Sequence, residues 1–269
     1  MVEHIFIEDK PVSEAVPIRT LFYGEGLFET FRYKSGMPAL FERHYERMRK
    51  GAEYLGIPMY SISYVEGLVN NAVTASGIED AYVKVCLLSD GSTLFYDLPS
   101  KSAVLTVVRE YNPPSGPLTL HIGSTRRNST SPLSHLKSLN YLENVLARRE
   151  AVSAGFSECL FLSDKGHVAE CSAANIYWIR GGILYTPSLE CGVLSGTTRE
   201  ALLKIAGKVG LDVWEGLYSP DELYECELAL VTNALIGVMP VSVIGHITLD
   251  TDTAYLDSIR KGLFEHLGW

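Results

Sequence analysis

The stretch YNPPSG at 111–116 limits the folds open to this chain more than any other feature, because it sets two prolines, a serine and a glycine between two β-rich runs. Proline cannot donate to a strand ladder and locks φ near −65°, so neither run can continue through it. The chain is therefore read as an N-terminal α/β domain at 1–112, a linker at 113–117 and a C-terminal domain at 118–269. Both sides mix period-2 and period-3.6 patterns, which predicts an α/β (α+β) protein of two domains. With 269 residues, burial of roughly three quarters of the unfolded surface supports such a fold without disulfide or metal staples.

Within the first domain, residues 4–7 form a short β-rich run turning at 8–10, and 27–33 read as a strand ending at Ser35-Gly36. Phe41, Tyr45, Met48, Ala52 and Leu55 recur at helical steps, so 40–55 is an amphipathic helix closed by Gly56. Ser61 or Ser63 caps a second helix ending near Gly77, and strands follow at 81–88 and 102–110. In the second domain, a strand at 118–122 leads through the polar loop STRRNSTSPLSH to a helix at about 140–154. The runs 158–163, 167–170, 175–179 and 183–186 look like a meander of strands, followed by the turn CGVLSGTTRE and a helix closing near Gly210.

A formal net charge of −9 makes nucleic acid an unfavourable partner. Cys86, Cys159, Cys171, Cys191 and Cys226 are odd in number and never at metal-ligand spacing, so they read as reduced thiols and no metal is expected. No run approaches about 18 apolar residues and the N-terminus lacks a signal-peptide pattern, so a cytoplasmic protein with no membrane partner is expected.

Four features carry chemistry. Lys137 stands at a loop-to-helix junction, where partial desolvation lowers an amine's pKa enough for imine exchange. Glu170 is an acid inside VAECSAANIYWI, otherwise apolar or small, and Ser172, Ala173 and Ala174 let backbone approach a flat ring or a phosphate. Gly196-Thr197-Thr198 opens a helix and offers free N–H groups and hydroxyls to an anion, and Arg47 adds a guanidinium. Taken singly, these fit a solvated lysine, a strand-end acid, an empty N-cap and a surface arginine. Together they supply what pyridoxal 5'-phosphate (PLP) needs: an amine for the aldehyde, an acid for the pyridine nitrogen and a phosphate cup.

The ordered set resembles the class IV (fold type IV) PLP enzymes, through GEGLFETFR at 24–32, HYERM at 44–48, LKSLNYLENVLA at 136–147, GHVAECSAANIYW at 166–178, YTPSLECGVLSGTTR at 185–199 and TNALIGVMPV at 232–241. The resemblance implies a small N-terminal domain, a larger C-terminal one with a β-barrel-like sheet and flanking helices, and a homodimer. It makes Lys137 the lysine that carries the cofactor, Glu170 the partner of the pyridine nitrogen, and Arg47, Thr197 and Thr198 the phosphate ligands. It also sets Tyr141, Ser172, Ala173, Ala174, Asn175, Gly196, Asn233 and Ala234 against the cofactor, with Tyr141 near its phenolic oxygen.

Within that family, TNALIGVMPV is similar to aminodeoxychorismate lyases, whereas aminotransferases usually hold a hydroxyl residue at the position of Ala234; ECSAANIYW also follows the lyase pattern. KSLN at 137–140 is shared with D-amino acid aminotransferases, but SDGSTLFYDLPS lacks the arginine and histidine with which those enzymes bind carboxylate. Asp90 departs from the arginine found in many members, lyases included. The resemblance thus implies conversion of 4-amino-4-deoxychorismate to 4-aminobenzoate and pyruvate, with Thr30 assisting proton transfer and Arg32, Arg126 and Arg127 as candidates for the substrate carboxylates. The rivals are a branched-chain or D-amino acid aminotransferase passing nitrogen to 2-oxoglutarate, and a protein that binds PLP without catalysis.

Overall fold

The hydrophobic periods of the chain become, in a computed structural model, two main sheets with helices packed on them. The structure describes residues 6–7, 10–11 and 17–269; of the run expected at 4–7, Phe6–Ile7 is a short strand (β1) paired with Lys10–Pro11 (β2), and the rest lies outside the described residues. After helix α1 (Ile18–Tyr23) come strand β3 (Gly26–Lys34), helices α2 (Phe41–Leu55) and α3 (Ile62–Ser76), and strands β4 (Asp80–Asp90) and β5 (Lys101–Glu110). Ser61, not Ser63, caps α3, accepting from the Tyr64 N–H at 3.3 Å. Strands β3, β4 and β5 form an antiparallel sheet in that order.

Alternation along these strands gives the small sheet two unlike faces. Leu27, Phe31, Val83, Val85 and Leu87 point to one side and pack against Met48 and Ala52 of α2 and Val65, Val69 and Val73 of α3. Burying each such side chain stabilises the fold by about 1.5–3 kcal/mol, so this face holds the sheet to its helices. The other face, with Phe28, Thr30, Tyr82, Lys84 and Arg109, is left to line a cavity.

The second half begins with β6 (Leu118–Arg127), longer than expected because its ladder with β7 (Glu158–Ser163) continues to Arg127 opposite Ser163. Helix α4 (Leu142–Ser153) lies between them in sequence, and β8 (Val168–Cys171), β9 (Asn175–Arg180), β10 (Ile183–Pro187), α5 (Thr197–Ala206), β11 (Asp212–Gly216), β12 (Leu228–Asn233), β13 (Gly237–Ile244), β14 (Ile247–Thr248) and α6 (Ala254–Leu267) follow. The sheet order is β11-β10-β9-β12-β13-β6-β7-β8, with β14 on β13. The expected meander over 158–186 is thus corrected. Strands β7 and β8 form one antiparallel hairpin and β9 and β10 another, with β12, β13 and β6 between them in the sheet. The sheet curls so that β8 at its end returns towards β9 and β10, as in a half-barrel. Trp178, Leu160 and Val231 fill one side of it, and Tyr177, Leu202 and Ile259 the other.

The segment carrying Lys137 is joined to the small sheet across the chain. The Phe28 N–H donates to the Lys137 carbonyl at 2.9 Å, and the Leu139 N–H donates to the Gly26 carbonyl at 2.9 Å. Only glycine fits at position 26, since a Cβ there would stand 2.7 Å from Leu139 Cδ1 and 2.8 Å from the Leu87 carbonyl oxygen. Gly26→Ala is expected to cost about 2 kcal/mol through overpacking and to lower Tm by about 4 °C, measured by calorimetry; an unchanged Tm would show that the Lys137 segment moves away freely.

Candidate active site

A cavity of about 550 Å³ opens between the polar face of the small sheet and the loops of the second half. That volume suits a cofactor or a small ligand. Lys137, Thr30, Glu170, Arg47, Tyr141, Ser172, Ala173, Ala174, Asn175, Gly196, Thr197, Thr198, Asn233, Ala234 and Arg127 all line it.

The Lys137 ammonium lies 4.5 Å from the centroid of the Phe28 ring. Burial pushes its pKa down to about 8, helped by the positive charge of Arg47 and opposed by Glu29 and Glu170. Lys84, from the neighbouring strand, also stands over Phe28, at 4.2 Å, and its charge lowers the Lys137 pKa further. The result is an amine that gives up its proton far more readily than a surface lysine.

Glu29 governs the opposite corner. Its carboxylate, 3% exposed, accepts from Arg47 Nε at 2.8 Å and Nη2 at 2.6 Å and from His44 Nδ1 at 2.6 Å. Burial alone would raise the Glu29 pKa, but Arg47 and His44 overcome it and hold it at about 2. Arg47 also donates through Nη1 to the Ser195 carbonyl at 2.8 Å, which leaves two of the five guanidinium N–H bonds to serve another acceptor. Burial lowers the His44 pKa, against the opposing pull of Glu29; with Nδ1 committed to Glu29, its Nε2 is hydrogen-bonded to the Thr197 hydroxyl at 3.3 Å.

Thr197 and Thr198 begin α5, whose first N–H groups have no partner within the helix. The buried Thr198 hydroxyl has no hydrogen-bond partner among the described residues. At Gly196 a Cβ would come within 2.1 Å of Asn175 Oδ1, so any side chain here would have to displace Asn175. Free amide groups, an unpartnered buried hydroxyl and an arginine with N–H groups to spare fit a phosphate.

Glu170 enters from β8. One carboxylate oxygen pairs with Arg127 Nη2 at 3.2 Å and the other accepts from the Leu194 N–H at 3.0 Å. Burial raises its pKa, against the opposing pull of Arg127. Tyr141 donates to the Ser172 carbonyl at 2.7 Å and packs edge-on to Phe28. The Ser172 hydroxyl donates to Glu158. Asn175 donates to the Leu194 carbonyl and Asn233 to the Ala173 carbonyl, both at 3.0 Å, so these two amides shape the loops around Glu170 and Ala234.

The arginines selected from sequence are not free for a substrate. Arg32 does not line the cavity: Asp80 binds it at 2.7 and 2.6 Å, and Tyr111 and Trp269 cover it. Arg126 turns back onto the Gly123 carbonyl at 2.7 Å, also outside the cavity. Arg127 reaches the wall, but Glu170 and Glu143 take up its charge. Sequence analysis missed Glu29 and His44, which lie within the GEGLFETFR and HYERM segments, and the cavity cations Lys84 and Arg109. The period-2 alternation of β4 and β5, with charges breaking an apolar run, was the available signal for the last two. Among the described residues no group of three or more His, Cys, Asp or Glu is placed to hold a metal ion, and no helix is long and apolar enough to cross a membrane.

Known proteins are similar to this chain in sequence and fold. The profile of the family "Amino-transferase class IV" matches residues 26–244. The chain is 32% identical over 271 residues to the aminodeoxychorismate lyase of Bacillus subtilis (strain 168), covering 97% of this chain and 91% of that protein. It is 28% identical to the branched-chain-amino-acid aminotransferase of Pseudomonas aeruginosa over 98% of this chain and 93% of the other. A crystal structure from Legionella pneumophila, assigned as a 4-amino-4-deoxychorismate lyase, has a TM-score of 0.89 at 29% identity and covers 97% of this chain and 98% of its own. A half-barrel domain beside a small α/β unit, with this cavity between them, is the architecture of a fold type IV PLP enzyme. The chain belongs to the class IV aminotransferase family, whose cofactor is pyridoxal 5'-phosphate.

With its pKa at about 8, Lys137 should be half neutral at pH 8, where an ordinary lysine is only about 0.3% neutral. Acylation of the cofactor-free protein across pH, mapped by peptide mass spectrometry, should give Lys137 a midpoint near 8, below the value of about 10.4 for a lysine in a model peptide. A midpoint above 10 at Lys137 would show that the amine is solvated.

Proposed function

We propose that this enzyme is an aminodeoxychorismate lyase, converting 4-amino-4-deoxychorismate to 4-aminobenzoate and pyruvate in folate biosynthesis. The observation that carries the reading is Ala234, which brings no hydroxyl to the cavity wall where aminotransferases usually have one; similarity to the Bacillus subtilis lyase over 97% of the chain supports it. The aminotransferase reading is supported by the similarity to the Pseudomonas aeruginosa enzyme. Both use the same lysine and glutamate.

In this reading Lys137 attaches the cofactor, and its amine, readily deprotonated near pH 8, later takes the proton from the substrate carbon that bears nitrogen. Bound PLP supplies the electron sink for that step. Glu170 would face the pyridine nitrogen of the bound cofactor, and Arg127 behind it opposes the rise in its pKa that burial causes. The N-terminus of α5, the Thr198 hydroxyl and the spare N–H groups of Arg47 would hold the phosphate. Thr197 would contribute through its backbone, because its hydroxyl is engaged with His44.

Phe28, Ala173 and Ala174 line the cavity and would flank the ring, and Thr30, two residues along β3 on the same face as Phe28, would pass a proton to the departing enolpyruvyl group. Loss of that group as pyruvate makes the six-membered ring aromatic, with no amino acceptor consumed. Lys84, which has no acidic partner among the described residues, offers charge to a substrate carboxylate. A homodimer is the assembly this reading carries, supported by the exposed Leu21, Phe22, Phe95, Tyr96 and Leu98 around α1 and the 91–100 segment.

Two measurements test these assignments. Thr198→Val should weaken PLP binding to the cofactor-free protein roughly tenfold, as loss of a hydrogen bond to a charged group predicts, while Thr197→Val changes it less; titration by fluorescence reads both. Incubation of the PLP-loaded enzyme with 4-amino-4-deoxychorismate should give 4-aminobenzoate and pyruvate at the same rate with and without 2-oxoglutarate, and Lys137→Ala should abolish both products. Absence of 4-aminobenzoate, together with amino-acid bleaching of the cofactor absorbance that 2-oxoglutarate restores, would make the protein an aminotransferase.

A further inference from the structure

The cations around the cavity fall into two groups. Arg47 is bound by Glu29, and Arg127 by Glu170 and Glu143. Lys84 and Arg109 have no carboxylate partner among the described residues, and both belong to the open face of the small sheet.

Arg109 is the outer of the two. On β5 it pairs with Tyr82 of β4, and its guanidinium carbon lies 3.9 Å from the centroid of the Tyr82 ring. The aromatic face takes one face of the guanidinium and leaves its N–H edge free. That is the geometry for a two-pronged contact to a carboxylate, from a group already partly immobilised. Position in the sheet sets the reach. The Lys137 segment is bonded to β3, Lys84 stands on β4, and Arg109 stands on β5, the far strand. At about 4.8 Å per strand, the Arg109 backbone is about 10 Å beyond β3, which suits the end of a substrate remote from the reacting nitrogen.

We propose that Arg109 is a specificity-determining residue: stacked on Tyr82 at the outer wall of the cavity, it binds the second, distal carboxylate of a dicarboxylic substrate. The proposal rests on the reading above only in taking Lys137 as the reacting end. It holds for any dicarboxylic amine or oxo acid that the enzyme uses. Lys84, diagonal to Arg109 across the β4–β5 pair and about 7–8 Å away along the sheet, is then left for the nearer carboxylate.

The test compares wild-type, Arg109→Gln and Arg109→Lys holoenzymes, using isophthalate, with two carboxylates on a ring, and benzoate, with one, as calorimetric probes. Wild type should bind isophthalate roughly tenfold or more tightly than benzoate, as one charge-assisted contact predicts. Arg109→Gln should remove that preference without changing benzoate affinity or PLP content, and Arg109→Lys should restore part of it. Raising salt should shrink the wild-type preference, because the group is exposed. With a turned-over dicarboxylic substrate, Arg109→Gln should raise KM roughly tenfold and leave kcat within about twofold, the pattern for lost uniform binding. A wild type without preference for isophthalate, or an Arg109→Gln variant that keeps it, would overturn the proposal. Failure to form 4-aminobenzoate would overturn the lyase assignment alone, since the probe comparison does not depend on turnover.

Discussion

The buried carboxylate of Glu29 is the interaction on which the site depends. Burial of a carboxylate without partners would cost several kcal/mol, and Glu29 is held ionised only because Arg47 and His44, one turn apart on α2, both reach it. Arg47 continues to the Ser195 carbonyl and His44 to Thr197, so a single group on β3 joins the small sheet, α2 and the start of α5. The anion seat and the wall of Lys137 are thereby set relative to one another. A one-residue shift in β3 would turn Glu29 into the cavity and Phe28 and Thr30 away from it, because strand side chains alternate.

Around that anchor, paired charges build the cavity and unpaired ones face its contents. Glu29 with Arg47 and Glu170 with Arg127 are ion pairs, and removing one member of either would leave the buried charge of the other less well compensated. Among the described residues Lys137, Lys84 and Arg109 have no such partner. Burial and nearby positive charge prepare Lys137 for chemistry, whereas Arg109, exposed at the rim, is left for recognition. The small sheet is thus more than a lid: its apolar face provides stability and its polar face a row of cations at increasing distance from the reacting lysine.

Local features read well from the chain. The helices ending at Gly56 and Gly77 and the Ser61 cap depend on residues near one another in sequence, as do the strands 81–88 and 102–110. Lys137, Glu170 and the Gly196-Thr197-Thr198 turn were legible because each is an exception to its surroundings: a lysine at a helix entrance, an acid in an apolar strand, a small-residue turn opening a helix. Arg32 and Arg126 misled, because an arginine in a family-like segment does not reveal which acid or carbonyl it meets. Asp80, 48 residues from Arg32, decides that.

Hydrophobic period, turn chemistry and capping are encoded within a few residues, and from them the sequence by itself determined the α/β character, the main helices and the residue types that PLP chemistry needs. Tertiary structure alone decided the order of the large sheet, where β12, β13 and β6 separate two hairpins that follow one another in the chain. It alone selected which cations are neutralised and which stay free. Both outcomes depend on contacts between residues far apart in sequence. Burial settles them, because a strand face or a charge finds its lowest free energy only against the partner that the whole fold brings to it.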